Sequence, residues 1–169
     1  MVKNFFITGK PGCGKTSLII EILKELDLDA GGFYTQEIRE KEIRKGFKIV
    51  TLNDKEGILA HINIKSPYRV SRYKVNIQCL EKIGVESILK AIKENKVVVV
   101  DEIGAMELFS KKFQEAVLVA LNSLKQVLGI ITITPNSFCD KIKKRQDTKI
   151  FYLTQGNRDK IKSEIERLL

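Results

Sequence analysis

Gly9-Lys10-Pro11-Gly12-Cys13-Gly14-Lys15-Thr16 is the stretch on which the fold of this chain turns. The order glycine, four free positions, Gly-Lys and then Ser or Thr is that of a phosphate-binding loop. Such a loop needs a strand before it and a helix after it. Asn4-Phe5-Phe6-Ile7-Thr8 is a short apolar run of strand length, and Leu18, Ile19, Ile22, Leu23 and Leu26 recur at helical spacing. Glycines let the backbone double back with N–H groups pointing inward, so successive amides can wrap a phosphate chain. The helix opening at Lys15 adds free N–H groups and the positive end of its dipole. Lys15 can reach the β- and γ-phosphates, and the Thr16 hydroxyl can ligate a magnesium ion.

Composition sets the frame around that loop. At 169 residues the chain has the size of a single domain, 1–169, with one core. Its 43% apolar and 30% charged residues belong to a globular protein, and no stretch approaches the length needed to cross a bilayer. The N-terminus lacks the long apolar region of a secretion signal, so a cytoplasmic location is expected. Cys13, Cys79 and Cys139 are odd in number, far apart and without metal-ligand spacing, as expected of three reduced thiols. Thirty Lys and Arg against 21 acidic residues give a formal charge of +9, which suits a polyanionic ligand such as a nucleoside triphosphate. The basic residues are interleaved with glutamates and no RNA-binding motif is present, so a nucleic-acid partner is not expected. A monomer or weak oligomer is expected. Many Lys and Glu with no Trp is also the composition of a heat-adapted protein.

Downstream, Phe33–Ile38, Phe47–Leu52 and Ile58–Ile64 read as strands joined by tight turns, so residues 33–65 form an antiparallel β-meander inserted after the first helix. In the third of these strands Ile58, Ala60, Ile62 and Ile64 share one face, leaving His61, the lone histidine, on the less buried one. Ser66–Lys74 reads as irregular. Residues 76–94 read as a helix interrupted at Gly84, with Leu80, Ile83, Leu89 and Ile92 as its stripe. Met106–Leu124 reads as one long helix with Leu108, Phe109, Phe113, Val117, Leu121 and Leu124 inward. Gln126–Thr134 and Ile150–Leu153 read as further buried strands, Ser137–Arg145 as a short basic helix and Asn157–Leu169 as a closing one. Alternating strands and helices with buried strands make a layered, mostly parallel α/β sheet.

Val97-Val98-Val99-Val100-Asp101-Glu102 supplies the second half of a site. A continuous β-branched run is a central strand covered on both faces, and its carboxyl end lies beside the phosphate loop. Asp101 can hold magnesium there, with Thr16. Glu102 is placed to orient and deprotonate a water for attack on the γ-phosphate. The strand end Val99-Val100-Asp101-Glu102-Ile103-Gly104 is therefore expected to border the nucleotide. Glu107 is a lesser candidate that also suits a helix start. Transition-state charge calls for a cation besides Lys15 and magnesium; Arg39, Arg44, Arg72 and Arg158 all lie in loops or at a helix start, and Arg72 is carried forward as the candidate catalytic arginine.

Together these pieces resemble the small THEP-type nucleoside triphosphatases described from thermophiles, which have a cancer-related human relative. The likeness runs through Gly9–Thr16, Gly32-Phe33-Tyr34-Thr35, Gly46-Phe47, Val70–Val75, Asp101-Glu102-Ile103-Gly104, Met106-Glu107-Leu108-Phe109 and Thr154-Gln155-Gly156-Asn157-Arg158. It implies a P-loop α/β/α sandwich of the RecA-like class that carries a catalytic glutamate after the metal aspartate. In that class an additional strand separates the phosphate-loop strand from the aspartate strand. It implies magnesium-dependent hydrolysis of ATP, GTP, CTP and UTP to diphosphate and phosphate with little base selectivity, and it places Asn157 and Arg158 at the nucleotide. The family pattern carries Lys after Asp-Glu-Ile-Gly; Ala105 stands there instead, which bears on rate more than on class. Two other readings share the loop: a small-molecule or nucleoside kinase, and a nucleic-acid-associated ATPase.

Overall fold

The computed structural model describes residues 1–169. Nine strands form one sheet: β1 (Asn4–Thr8), β2 (Ala30–Glu40), β3 (Ile43–Thr51), β4 (Glu56–His61), β5 (Arg69–Val70), β6 (Tyr73–Val75), β7 (Val97–Ile103), β8 (Gln126–Ile131) and β9 (Thr148–Tyr152). Their spatial order is β5-β6-β4-β3-β2-β7-β8-β1-β9. From β2 to β9 every pairing is parallel, and beyond β2 every pairing is antiparallel. β8 lies between the phosphate-loop strand β1 and the aspartate strand β7, as the additional-strand class requires.

Alternation along the central strands explains the layers. Phe5, Ile7, Val97 and Val99 point to one face and are buried under α1 (Lys15–Glu25) and the C-terminal helix through Leu18, Ile19, Ile22, Ile161 and Ile165. Phe6, Val98 and Val100 point to the other face and meet Phe33, Ile88, Phe113 and Ile142. Strands covered on both sides need apolar residues at every position, which is why these runs do not alternate in polarity. The result is three layers around one sheet. On the second face α2 (Ile77–Cys79) passes through a wide π turn, Leu80–Val85, into α3 (Glu86–Glu94); α4 (Lys111–Asn122) and α5 (Ser137–Lys143) follow. The last helix is α6 (Arg158–Leu168).

Several elements depart from the sequence expectation, each for a local reason. The meander does not start at Phe33: Ala30–Phe33 pair in parallel with Val97–Val100, so β2 closes the parallel half before it turns outward to pair with β3. In β4 a bulge at Leu59 shifts the register between Phe47↔Ala60 and Lys48↔Ile58. Leu59 thereby turns inward while Ile58 is left 44% exposed, and the strand ends at His61. Residues 66–74 are not irregular, since β5 and β6 add two short strands to the sheet edge. The helix from 77 to 94 is not interrupted at Gly84. That glycine faces the sheet so closely that a Cβ would sit 2.7 Å from Ile49 Cδ1. The π turn adds a residue to the helical repeat, so Ile88 is the buried position and Leu89 is exposed. Met106–Leu124 divides: Glu107–Phe109 form one 3-10 turn, and Ser110 caps α4 by accepting from Phe113 N–H at 3.1 Å. Phe109 and Leu124 consequently face solvent, not the core. β8 stops at Ile131, and Ile133 lies outside it, exposed.

Candidate active site

The carboxyl ends of β1 and β7 place two loops against each other. After β1 the chain enters Gly9–Gly14, where Gly12 (φ +77°) and Gly14 (φ +88°) take left-handed conformations that glycine alone adopts without strain. α1 then begins at Lys15 with no side chain capping its first N–H groups and no acid in its first turn. By contrast, α2, α4 and α5 open under Asn76, Ser110 and Asn136. An uncapped helix start behind a glycine loop leaves N–H donors and a positive dipole end free for an anion. The Lys15 ammonium lies across this cradle, donating to the carbonyls of Gly9 at 3.0 Å and Lys10 at 2.9 Å.

Thr16 joins the two halves. Its hydroxyl donates to Asp101 Oδ2 at 2.6 Å. Asp101 is 1% exposed, and burial pushes its carboxyl up to about 7, with Glu102 adding to the shift and the Thr16 hydroxyl, the Thr35 backbone and Lys15 opposing it. Burial also raises Glu102 above the usual carboxylate range, and Lys15 opposes that shift. The Glu102 carboxylate folds over Gly104, where a Cβ would sit 2.7 Å from Oε1, so a side chain at 104 would displace it. The Asp101–Glu102 peptide is cis. Val99, Val100 and Ile103 are fully buried, and they serve the site as the strand that carries these acids. Glu107, 3% exposed, is raised well above the carboxylate range by burial and then by Glu102 and Asp101. The neighbouring backbone of Glu107 and Gly104 opposes that shift.

Oxygen donors from Thr16 and Asp101 converge as a magnesium ion requires, and a buried carboxyl held near neutrality gains its charge most readily beside a cation. No three His, Cys, Asp or Glu side chains converge into a metal cage. A cation held by Thr16 and Asp101 would have to draw its other ligands from substrate oxygens and water, as magnesium does in phosphate sites.

The remaining candidates separate. Arg158 approaches the phosphate loop from behind: Nη1 donates to the Gly14 carbonyl at 3.1 Å and Nη2 pairs with Glu21 on α1 at 2.6 Å. It braces the loop. Asn157 pins its own loop, accepting from Thr154 N–H and donating to the Tyr152 carbonyl, both at 2.8 Å. Arg72 is engaged in the meander, donating to the Arg44 carbonyl at 2.7 Å and to the Tyr73 hydroxyl at 3.3 Å. None of its hydrogen bonds reaches the phosphate loop. Arg44 likewise stacks on Phe47 and Tyr73 and pairs with Glu37, and Arg39 is occupied by Glu37.

Glu21 and Tyr152 are neighbours that the sequence did not single out, and Thr35 entered only as part of the family likeness, with no role. Thr35 sits in a half-exposed strand, Glu21 is one of many helix glutamates, and Tyr152 is hidden in an apolar run. A cavity of about 140 Å³ adjoins Glu102, bordered by Thr35, Val70, Ala105, Met106 and Glu107. Ala105, the position of departure from the family pattern, forms part of its rim.

Comparison with known proteins agrees with this geometry. The family model described as NTPase matches residues 4–166. Nucleoside-triphosphatase THEP1 of Thermotoga maritima is 49% identical over 166 residues, covering 98% of this chain and 95% of that protein. The human cancer-related nucleoside-triphosphatase is 35% identical over 181 residues, covering 98% and 95%. The crystal structure of THEP1 from the hyperthermophile Aquifex aeolicus superposes with a TM-score of 0.90 at 35% identity, covering 98% of each chain. The phosphate loop, the acid-bearing strand and the match from one end of the chain to the other place this protein in the NTPase family, among the nucleoside-triphosphatases.

Proposed function

We propose that the protein hydrolyses nucleoside triphosphates to diphosphate and phosphate in a magnesium-dependent reaction with broad base tolerance. The observation that carries this reading is the 2.6 Å bond from Thr16 to Asp101, which draws the phosphate cradle and the Asp101–Glu102 strand end into one site. Gly9–Thr16 wrap the β- and γ-phosphates with backbone N–H groups, and the Lys15 ammonium leaves its carbonyl partners for the transferring oxygens. Thr16 and Asp101 would hold magnesium, which when bound would supply positive charge against the charge of the phosphates. Glu102 accepts a proton from water as the water oxygen attacks the γ-phosphorus in line. The bond from that phosphorus to the bridging oxygen breaks, and the diphosphate leaves with the electron pair. Burial raises the proton affinity of Glu102, which suits a base working near neutral pH.

The cavity beside Glu102, about 140 Å³, has room for several waters where the attacking oxygen would lie. To Arg72 we assign bracing of the hairpin whose Val70 borders this cavity, rather than contact with phosphate. No helix is long and apolar enough to cross a membrane; three free thiols suit a reducing compartment, and we place the protein in the cytoplasm. Phosphate release from ATP, GTP, CTP and UTP, with no other acceptor, tests the reading. Release from all four that stops on chelation of magnesium is the expected result. Turnover that begins only when an acceptor alcohol is added contradicts it.

A further inference from the structure

Behind the phosphate loop, α1 and the C-terminal helix α6 share an apolar seam of Leu18, Ile22, Ile161 and Ile165, and beside it runs a ladder of charge. Glu21 and Glu25 stand four residues apart on α1, and Arg158 and Lys162 stand four apart on α6, so each pair lies on one helix face. Lys162 pairs with Glu21 at 2.8 Å and with Glu25 at 2.6 Å. Glu21 also accepts from Arg158 Nη2 at 2.6 Å. The bonds from Lys162 and Arg158 hold the Glu21 carboxyl below the usual carboxylate range, so it is ionised at neutral pH.

The rungs differ in what lies beyond them. The pair of Lys162 with Glu25 joins the two helices and goes no further toward the loop. Arg158 continues to it, where Nη1 donates to the Gly14 carbonyl at 3.1 Å. That carbonyl also accepts the Leu18 N–H that opens α1, at 3.1 Å, and it belongs to the same peptide unit as the Lys15 N–H. Carbonyl and N–H of one peptide lie in a single plane, so a donor that fixes the first also aims the second. A charged donor polarises the peptide as well and strengthens its N–H toward an anion. Gly14, at φ +88° and without a side chain, is the freest point between loop and helix, and it is the point that the guanidinium holds. The approach is close: a Cβ at Gly14 would come 3.3 Å from Arg158 Nη1.

Resting on the phosphate-binding part of the triphosphatase reading, we propose that Glu21, whose own bonds run only to α6, is a positioning residue for the phosphates: it anchors Arg158 so that the guanidinium holds the Gly14–Lys15 peptide with its N–H turned into the cradle. A long arginine side chain aims its fork only when its rotamers are restrained, and Glu21 is the partner that restrains Nη2. Charge alone predicts the opposite sign. Removing a carboxylate from behind an anion site would tighten phosphate binding, whereas loss of the anchor weakens it. Stability is a poor measure of the role, since partly exposed ion pairs contribute little to it.

Calorimetric titration of the full chain with inorganic pyrophosphate and magnesium reads the cradle by itself. Glu21→Ala is expected to weaken pyrophosphate by about fivefold, from the rotamer freedom that Arg158 regains. Glu21→Gln, whose amide oxygen still accepts from Arg158, is expected to stay within about twofold of the parent. Glu25→Ala, which breaks the other Lys162 rung and leaves Arg158 anchored, is expected to bind as the parent does. In an Arg158→Ala background, Glu21→Ala is expected to add nothing, because its effect passes through that side chain. Parent affinity or tighter binding in Glu21→Ala overturns the proposal. So does an equal loss in Glu25→Ala, which would mark a merely structural ladder, or an undiminished loss in the Arg158→Ala background. A failure of the hydrolase reading shows separately, as a parent chain that binds pyrophosphate yet releases no phosphate from ATP.

Discussion

The parallel half of the sheet and the antiparallel meander do different work, although one strand, β2, belongs to both. From β2 to β9 the strands are covered on both faces, and their carboxyl ends gather the phosphate loop, Asp101, Glu102 and the Tyr152 segment along one rim. In the meander the candidate arginines Arg39, Arg44 and Arg72 are already engaged on their own strands. Arg44, Arg72 and Tyr73 form a hydrogen-bonded and stacked cluster, and Arg39 is held by Glu37. The difference assigns the chemistry, on the proposed reading, to the parallel half, while the meander walls the cavity beside Glu102 through Thr35, Phe47 and Val70.

If that division is right, substitutions at the parallel rim cost far more activity than substitutions in the meander. Glu102→Gln aside, Lys15→Ala is expected to have the largest effect, lowering kcat/KM for ATP by a hundredfold to about a thousandfold, because it removes an ammonium that strengthens its grip in the transition state. Steady-state phosphate release gives the number. Arg158→Ala follows. Loss of one charged hydrogen bond to the Gly14 carbonyl is expected to weaken nucleotide binding by roughly tenfold, measured by titration with ADP.

Next comes an effect on stability rather than rate. Burial holds the Asp101 carboxyl at about 7 against an ordinary value of 3.8, so between those values the folded chain keeps a proton that the unfolded chain has released. Stability therefore falls as pH rises through that window and levels off above it. Glu107, raised by its own burial, acts in the same direction. Asp101→Asn removes the cost of the charge and keeps an oxygen to accept from Thr16. Its melting temperature is expected to exceed the parent's by roughly 5 °C at pH 8, with the gap closing as pH falls toward 4. Thermal unfolding across that range checks the sign. Smallest of all, Arg72→Ala is expected to change turnover by less than about threefold, since its bonds end on Arg44 and Tyr73. A hundredfold loss in the same assay would break the comparison and bring the meander into the chemistry.

How much of this was legible in the sequence follows the same division. β1, β7 and β8 announced themselves because strands buried on both faces must be apolar throughout, and the loop motif and the Asp101–Glu102 pair sit at their ends. The meander hid its register in a bulge at Leu59 that no alternation of Ile58, Ala60 and Ile62 could disclose. Leu89 misled because a π turn is invisible to a 3.6-residue period. Phe109 misled because Ser110, read as part of a helix, is its cap, and Leu124 because α4 ends at Asn122, before reaching it. Arg158 was placed at the site by its motif, but the distance to Gly14 and Glu21 gives it a bracing part.

Glu102→Gln tests the central claim most directly, because it keeps the shape of the side chain and removes its capacity to accept a proton. The protein is expected to bind ATP with parent affinity while phosphate release falls by about a hundredfold to ten-thousandfold. Release at the parent rate would contradict the assignment of Glu102 as the base that activates water.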